Sequence, residues 1–250
     1  MKNLYLGCKF AFSYFSILPI WFDKEDDLSS KNILGAMLFF LPLVGLVLGL
    51  FTIALFYLLS SLGWYGAIVS AIFYMLLYGF LHTEAVLDVG DALYASHSGK
   101  DAYTIIKDPT VGAMGVLYAI ALVLLKVSGI IFLLLHNLLF EFVAILIISR
   151  LSLLMLFRVY SFRSLFATQL KEALSPRYLW SAYAIFTLIG LFLTPYFILL
   201  LVLGVIIAYT TIYILKSKLG FVNGDLLGAT LEFVEVVLFL VVAMGYTVTL

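Results

Sequence analysis

Long apolar stretches separated by short polar connections run through most of this chain of 250 residues. A helix crosses a bilayer with about 20 largely apolar residues. Seven stretches meet this requirement: residues 33–59, 63–81, 111–135, 138–157, 178–193, 196–215 and 226–248. The pattern predicts an all-α fold, a polytopic membrane helix bundle of about seven transmembrane helices, as a single domain over residues 1–250.

The N-terminal stretch, residues 1–22, is apolar but interrupted by Lys9, and no small-x-small cleavage site follows it. Pro19 and Trp21 suit a helix that lies at the membrane surface or re-enters the membrane. We therefore expect a retained interfacial or re-entrant helix in front of the bundle.

Basic residues mark one side of the predicted bundle. The connections on that side carry Lys24, Lys31, Lys100, Lys107, Arg158, Arg163, Lys171, Arg177, Lys216 and Lys218. The alternate connections, near residues 60–61, 136–137 and 194–195, contain no Lys or Arg. By the positive-inside rule, the basic connections face the cytoplasm.

Composition supports a membrane protein and argues against other classes. Hydrophobic residues make up 65% of the chain and charged residues 11%, whereas soluble domains carry about 25% charged residues. The formal net charge is zero, so the implied partner is the lipid bilayer and no nucleic acid is indicated. The single cysteine, Cys8, excludes an internal disulfide.

Three carboxylates follow the second predicted span. Glu84, Asp88 and Asp91 are spaced by four and three residues, so on a helix they share an arc of about 60°. Like charges on one face repel one another unless a cation neutralises them, and hard oxygen ligands suit Mg²⁺. The alternative is a helix end that is simply solvated, but this does not explain why three acids and no basic residue share one face.

A second acidic group opens the last predicted helix. Asn223, Gly224 and Asp225 resemble a turn that leads into a helix, and Asp225 there is a candidate cap for free backbone N–H groups. Glu232 and Glu235 lie two to three turns further into apolar sequence, where ionisable residues are costly and usually paired or functional.

Basic residues offer partners for these acids. Lys126 and Arg150 lie inside predicted spans, either as buried ion pairs with Glu232, Glu235 or Glu141, or as an anion site below the membrane surface. Lys107 and Asp108 precede Gly112 and Gly115 at the start of the third span. Those glycines suit either an anion at a helix start or close helix packing, and Pro42, Gly45 and Gly49 also suit packing.

His82 lies two residues before Glu84, about 200° around an ideal helix, and reaches the acidic face only if the helix breaks there. For His82, both a contact to a phosphate and a structural role as a hydrogen-bonded polar residue at the helix edge stay open.

Acids on two helices with basic residues beneath them predict a membrane-embedded, Mg²⁺-dependent phosphoryl or nucleotidyl transferase.

The order of these motifs resembles the cobalamin synthase family, adenosylcobinamide-GDP ribazoletransferase, from end to end. The family pattern H-x-D-G-x-A-D-x-x-D-G corresponds to residues 82–92, and Gly-Asp-x-Leu-Gly-Ala with two spaced glutamates corresponds to residues 224–235. Lys107-Asp108, the Gly112 to Gly115 pair, Lys126 and Ser149-Arg150 are also similar.

The resemblance implies a late step of cobalamin biosynthesis in the bacterial cytoplasmic membrane, with the active site facing the cytoplasm. The enzyme would join α-ribazole, or its 5′-phosphate, to adenosylcobinamide-GDP and release GMP. Mg²⁺ ligands would be Glu84, Asp88, Asp91 and Asp225, and catalytic residues Asp88, Asp91, Asp225 and Glu232. Substrate-binding residues would be His82, Lys107, Lys126, Arg150, Asn223 and Glu235. The oligomeric state stays open, with a homo-oligomer as one alternative.

The chain also departs from the family pattern. Glu84 replaces an Asp, Ala85 and Ala92 replace glycines, Leu87 replaces an Ala, and Pro109-Thr110 replaces Ser-Arg. The two lost glycines predict a regular backbone at this point. Two alternatives are a CDP-alcohol phosphotransferase, whose D-G-x-x-A-R pattern this chain lacks, and an ion-coupled transporter that uses Glu232, Glu235, Lys126 and Arg150 as a relay.

Overall fold

The computed structural model describes residues 2–96, 99, 101–108 and 110–248. Over these residues the chain forms helices and no strand, which confirms the all-α prediction. The helices are α1 (Lys2–Phe15), α2 (Lys31–Phe39), α3 (Leu41–Leu58), α4 (Trp64–Leu77), α5 (Leu81–Ser96), α6 (Ala102–Ile106), α7 (Ala113–Leu135), α8 (Leu139–Val159), α9 (Leu165–Ala173), α10 (Pro176–Leu193), α11 (Phe197–Leu219) and α12 (Gly224–Val248). The departure at Pro109 and the basic residue Lys100 lie outside the described residues.

Six of these helices, α3, α7, α8, α10, α11 and α12, are long and apolar enough to cross a membrane. The bent pair of α4 and α5 passes the same test only when both helices are taken together. The prediction of a polytopic bundle with about seven spans is therefore confirmed. Helix α1 is not among the six, and it packs on α2 where Gly7 contacts Ala36.

Helix α8 forms the centre of the bundle. Of its spanning window 83% is buried inside the protein, against 22% for α7, α10 and α11. An apolar helix whose whole circumference is covered belongs to the core, whereas the less covered helices present apolar side chains to lipid. Helix α3 approaches α8 closely because Gly45 and Gly49 face Leu146 and Val143, which confirms the packing interpretation of those glycines.

Two predicted spans are each divided into two helices. The stretch 33–59 breaks at Phe40 into α2 and α3, because Pro42 lies in the first turn of α3 and cannot continue a preceding helix. The stretch 63–81 ends at Leu77, and Gly79 and Phe80 follow with φ angles of 62° and 55°. This left-handed turn redirects the chain, so α5 lies at 80° to α4.

The bend corrects one expectation from the sequence. The acidic residues do not extend a transmembrane helix; they lie on the separate helix α5, which packs between α7 and α12. A Cβ on Gly228 of α12 would lie 2.8 Å from Ala85 of α5, so the two helices nearly touch there. As predicted from the two lost glycines, α5 is a regular helix through Ala85 and Ala92.

Candidate active site

An open cavity of about 300 Å³ lies between α5 and the segment before α7; we call it the acidic hollow. Its lining is Glu84, Leu87, Asp88, Ile106, Lys107, Asp108 and Val111. Glu84 is exposed and Asp88 is half-buried. Among the described residues that line it, Lys107 is the only cation, so the structure brings Lys107 together with two of the predicted metal ligands.

Asp88 is the carboxylate most affected by burial and by the negative charges of its neighbours. Burial raises its pKa from 3.8 to about 6, and the charges of Asp225, Glu84 and Asp91 add to the effect. Asp225 comes from α12, so the charge of a carboxylate on a second helix acts on Asp88. Such mutual repulsion is the electrostatic setting in which a divalent cation binds.

Asp91 has a different environment from the other predicted metal ligands. Its Oδ2 accepts a hydrogen bond of 2.6 Å from the Gly112 N–H, and its Oδ1 accepts one of 2.7 Å from the Gly115 N–H. A Cβ on either glycine would collide with the Asp91 carboxylate. The close-packing interpretation of the glycine pair is therefore confirmed, and the anion that these two N–H groups bind in the structure is the Asp91 side chain.

The donor set fits Mg²⁺ in its chemistry. No group of three His, Cys, Asp or Glu side chains in the described part of the chain is arranged to hold a metal ion. Mg²⁺ is commonly held by one or two carboxylates, with substrate phosphates and water completing its shell. Asp88 and Asp225 supply such hard oxygens, whereas both oxygens of Asp91 already accept backbone hydrogen bonds.

Asn223, not Asp225, caps the start of α12. The Asn223 Oδ1 accepts a hydrogen bond of 3.0 Å from the Leu226 N–H, as an N-cap side chain does. The Asn223 Nδ2 donates to Asp225 Oδ2 at 2.6 Å. The cap prediction for Asp225 is therefore corrected, and Asn223 instead orients the Asp225 carboxylate.

A buried ion cluster lies deeper in the bundle and joins α4, α7, α8 and α12. The Lys126 ammonium is 2.7 Å from Glu232 Oε2 and 2.7 Å from Glu235 Oε2. The Arg150 guanidinium contacts Glu235 Oε1 and donates to the Tyr74 hydroxyl at 3.2 Å. The four charges cancel, which makes their burial tolerable.

This cluster matches the ion-pair alternative for Lys126 and Arg150. Lys126 lies 13 residues inside α7, about 20 Å along the helix from its start. Both cations are almost fully buried, and Glu141 takes no part in the cluster. A substrate-binding role for Lys126, Arg150 and Glu235, and a catalytic role for Glu232, stay predictions.

A second cavity, of about 140 Å³, lies between α1, α5, α9 and α12, and no sequence pattern indicated it. We call it the aromatic pocket, and its aromatic and polar lining is Tyr14, Phe15, His82, Phe157, Phe166 and Asp225. His82 is 6% exposed and stacks on Phe15 and Tyr78 at centroid distances of 6.2 and 5.6 Å. The helix does break before His82, yet its ring faces this pocket while Glu84 faces the acidic hollow.

Fold and site together define an integral membrane protein with a cavity lined by carboxylates and a lysine between α5 and the segment before α7. The family model described as Cobalamin-5-phosphate synthase matches residues 7–243. The chain belongs to the cobalamin-5-phosphate synthase family. It is thus a transferase of a late step in cobalamin biosynthesis.

Curated relatives agree with this family. A protein of Clostridium perfringens (strain SM101 / Type A) named adenosylcobinamide-GDP ribazoletransferase is 29% identical over 94% of this chain and 96% of its own length. A protein of the same name from Clostridium tetani is 30% identical over 82% of this chain and 85% of its own. One from Picrophilus torridus is 38% identical over 41% of this chain and 39% of its own. No solved structure matches the chain.

Proposed function

We propose that this protein joins α-ribazole, or its 5′-phosphate, to adenosylcobinamide-GDP and releases GMP. A ribose hydroxyl oxygen attacks the phosphorus that carries the corrinoid side arm. The new P–O bond forms as the bridging P–O bond of the diphosphate breaks, GMP leaves, and the hydroxyl proton passes to a carboxylate or to water. The observation that carries the proposal is the acidic hollow, a single cavity lined by both Asp88 and Lys107.

The acidic hollow suits the diphosphate of the donor. Its volume of about 300 Å³ admits a diphosphate group, and Lys107 offers an ammonium to the phosphate oxygens. Asp88 and Asp225 have the oxygen ligands that would hold Mg²⁺ in contact with those phosphates. When bound there, Mg²⁺ would offset the negative charge that develops on the transferred phosphoryl group.

Glu84 extends this carboxylate set at the exposed edge of the hollow. Its side chain is one methylene longer than the Asp of the family pattern, so an oxygen still reaches toward the cavity it lines. Asp91 acts differently in this proposal. Because it holds the start of α7, it keeps the Lys107 segment against α5, and it is a positioning residue.

The sidedness follows from charge. The basic connections and the carboxylates of the site lie at the same ends of the helices, where α7 and α12 begin and α8 and α11 end. By the positive-inside rule, that end faces the cytoplasm of a bacterial cell. Both substrates would then reach the acidic hollow from the cytoplasm.

The test is GMP release by purified protein in detergent, with adenosylcobinamide-GDP, α-ribazole and Mg²⁺. Asp88→Asn is expected to lower the rate by at least about 100-fold, because it removes a charged ligand in a site built on electrostatic stabilisation. Glu141→Gln is the matched control, since Glu141 lines a separate cavity. Turnover of Asp88→Asn at the wild-type rate would overturn the metal assignment.

A further inference from the structure

The aromatic pocket is a cavity that the proposed chemistry at the acidic hollow leaves unused. Helices α1 and α9 close it from one side, and the Tyr14 and Phe166 rings lie 5.3 Å apart there. Its volume of about 140 Å³ is several times what one water needs, yet below the size of typical pockets for whole ligands. The cavity therefore fits one planar ring system rather than a complete nucleotide.

His82 supplies the polar recognition group of this pocket. Within the described part of the chain, neither ring nitrogen of His82 makes a hydrogen bond, although the side chain is 6% exposed. His82 lines the aromatic pocket, so its ring nitrogens are available to a ligand that enters there. Its stacking on Phe15 and Tyr78 fixes the plane of the ring.

Asp225 connects the two cavities. It lines the aromatic pocket. Burial raises the pKa values of Tyr14 and Asp88, and the Asp225 charge raises both further, so this carboxylate lies near residues of both cavities. A ring held in the aromatic pocket thus places whatever is attached to it beside Asp225, the carboxylate whose charge also reaches Asp88 in the acidic hollow.

We propose that the aromatic pocket binds the base of the acceptor, the benzimidazole ring of a ribazole nucleoside. This inference rests on the proposed function. A benzimidazole has a large apolar face and one unsubstituted ring nitrogen, which matches stacking on Phe166 and Tyr14 with one hydrogen bond to His82. Its ribose hydroxyls then lie beside Asp225, from which the attacking oxygen reaches the acidic hollow.

Guanine, the base of the donor, fits this pocket less well. Its edge carries several donors and acceptors, whereas the polar side chains of the lining are Tyr14, His82 and Asp225, among many apolar residues. The Asp225 carboxylate, the natural acceptor for guanine N–H groups, already accepts a hydrogen bond from Asn223. Burying those unsatisfied groups would cost more than stacking returns. The donor base is therefore expected to stay outside the aromatic pocket.

The first experiment fills the pocket. Ala167 is 5% exposed and lines the cavity from α9, so Ala167→Phe places a ring in it. The KM for α-ribazole is expected to rise about tenfold or more, the scale of one lost ring-stacking contact, with the KM for adenosylcobinamide-GDP changed less than about twofold. Gln169→Phe, exposed on the same helix, is the control. Equal KM values for α-ribazole in Ala167→Phe and wild type would overturn the proposal.

A second measurement does not need turnover. Cys8 is the single cysteine, so Ala167→Cys in a Cys8→Ser background gives one thiol inside the pocket. α-Ribazole alone is expected to slow its labelling by a methanethiosulfonate reagent about fivefold or more at saturation, while GMP leaves the rate unchanged. Protection by GMP but not by α-ribazole would overturn the inference. If α-ribazole protects this thiol but no variant or wild type releases GMP, the proposed function fails while the pocket assignment stands.

Discussion

The Lys126 ammonium lies 2.7 Å from Glu232 Oε2, and neither side chain has any exposed surface. Lys126→Met would leave two buried carboxylates with the single charge of Arg150. We expect this variant to lose about 3–5 kcal/mol of unfolding free energy, the usual cost of breaking a buried pair. Denaturant unfolding in detergent micelles measures the loss.

Restoring neutrality should restore part of that stability. In the double variant Lys126→Met/Glu232→Gln, one cation and one carboxylate remain, so it should be more stable than Lys126→Met alone. The control is Lys31→Met, whose ion pair with Glu172 has 72% and 54% exposed side chains; its loss should stay below about 1 kcal/mol. Additive losses in the double variant would contradict the pairing.

Much of the fold follows from apolar length alone, and the breaks follow from local chemistry. The turns near residues 60–61, 136–137 and 194–195 lie where expected, because polar residues there end apolar runs. The sequence does not reveal the turn at Gly79 and Phe80, since a left-handed Phe is rare and no charge marks the position. Without that turn, the direction of α5 could not be predicted.

The sequence predicts which residues belong to the candidate site better than it predicts which contacts they make. Spacing indicated that Glu84, Asp88 and Asp91 share one face, but not that Asp91 bonds Gly112 and Gly115. Likewise, nothing in the sequence distinguishes Tyr14 and Phe166 from the many other aromatic residues of the chain. Their role in a pocket follows only from the packing of α1 and α9 near α12. Contacts between distant helices depend on packing, which a periodic pattern does not encode.

The contact between Asp91 and the start of α7 leaves no room for a methyl group. In Gly115→Ala the new Cβ would overlap the Leu87 carbonyl oxygen and lie 2.6 Å from Asp91 Oδ2. We expect a loss of about 1–3 kcal/mol, as for other overpacked sites, together with slower GMP release because Lys107 moves with this segment.

Gly245→Ala is the matched control, since both glycines are helical and a Cβ on Gly245 meets no atom within 4 Å. Alanine favours a helix over glycine by about 1 kcal/mol, so the control should be neutral or more stable. Equal unfolding midpoints for the two variants would show that the clash is absent.

The charge on Asp88 makes metal-free stability depend on pH. Its pKa rises from 3.8 to about 6 on folding, because of burial and then of the charges of Asp225, Glu84 and Asp91. The folded state therefore binds more protons than the unfolded chain between these values, and its stability falls as pH rises through this window. Unfolding midpoints in EDTA at pH 4 to 7 would measure the fall.

Asp88→Asn should flatten that fall, since the variant has no proton to lose at this position. At pH 7, Mg²⁺ should raise the unfolding midpoint of the wild type, because a ligand of the folded state stabilises it, and should do so less in the variant. A pH profile identical in wild type and Asp88→Asn would rule out this origin of the dependence.

Asn223 has two separable tasks at the start of α12, and one substitution divides them. Asn223→Ser keeps a side-chain oxygen for the Leu226 N–H but loses the Nδ2 donor that binds Asp225 Oδ2 at 2.6 Å. Because Ser caps helices about as well as Asn does and adds no charge beside Asp225, the unfolding free energy should stay within about 1 kcal/mol of the wild type. A hydrogen bond to a charged group contributes about 1.5–3 kcal/mol, so GMP release should fall about 10- to 100-fold.

Asn223→Ala removes both interactions and completes the comparison. It should lose about 1 kcal/mol of stability with the cap and show an activity as low as that of Asn223→Ser. If Asn223→Ser were fully active, the orientation of Asp225 by Asn223 would not matter for the reaction. If Asn223→Ala alone were inactive, the cap rather than the amide donor would be what the active site requires, because only the cap distinguishes the two variants.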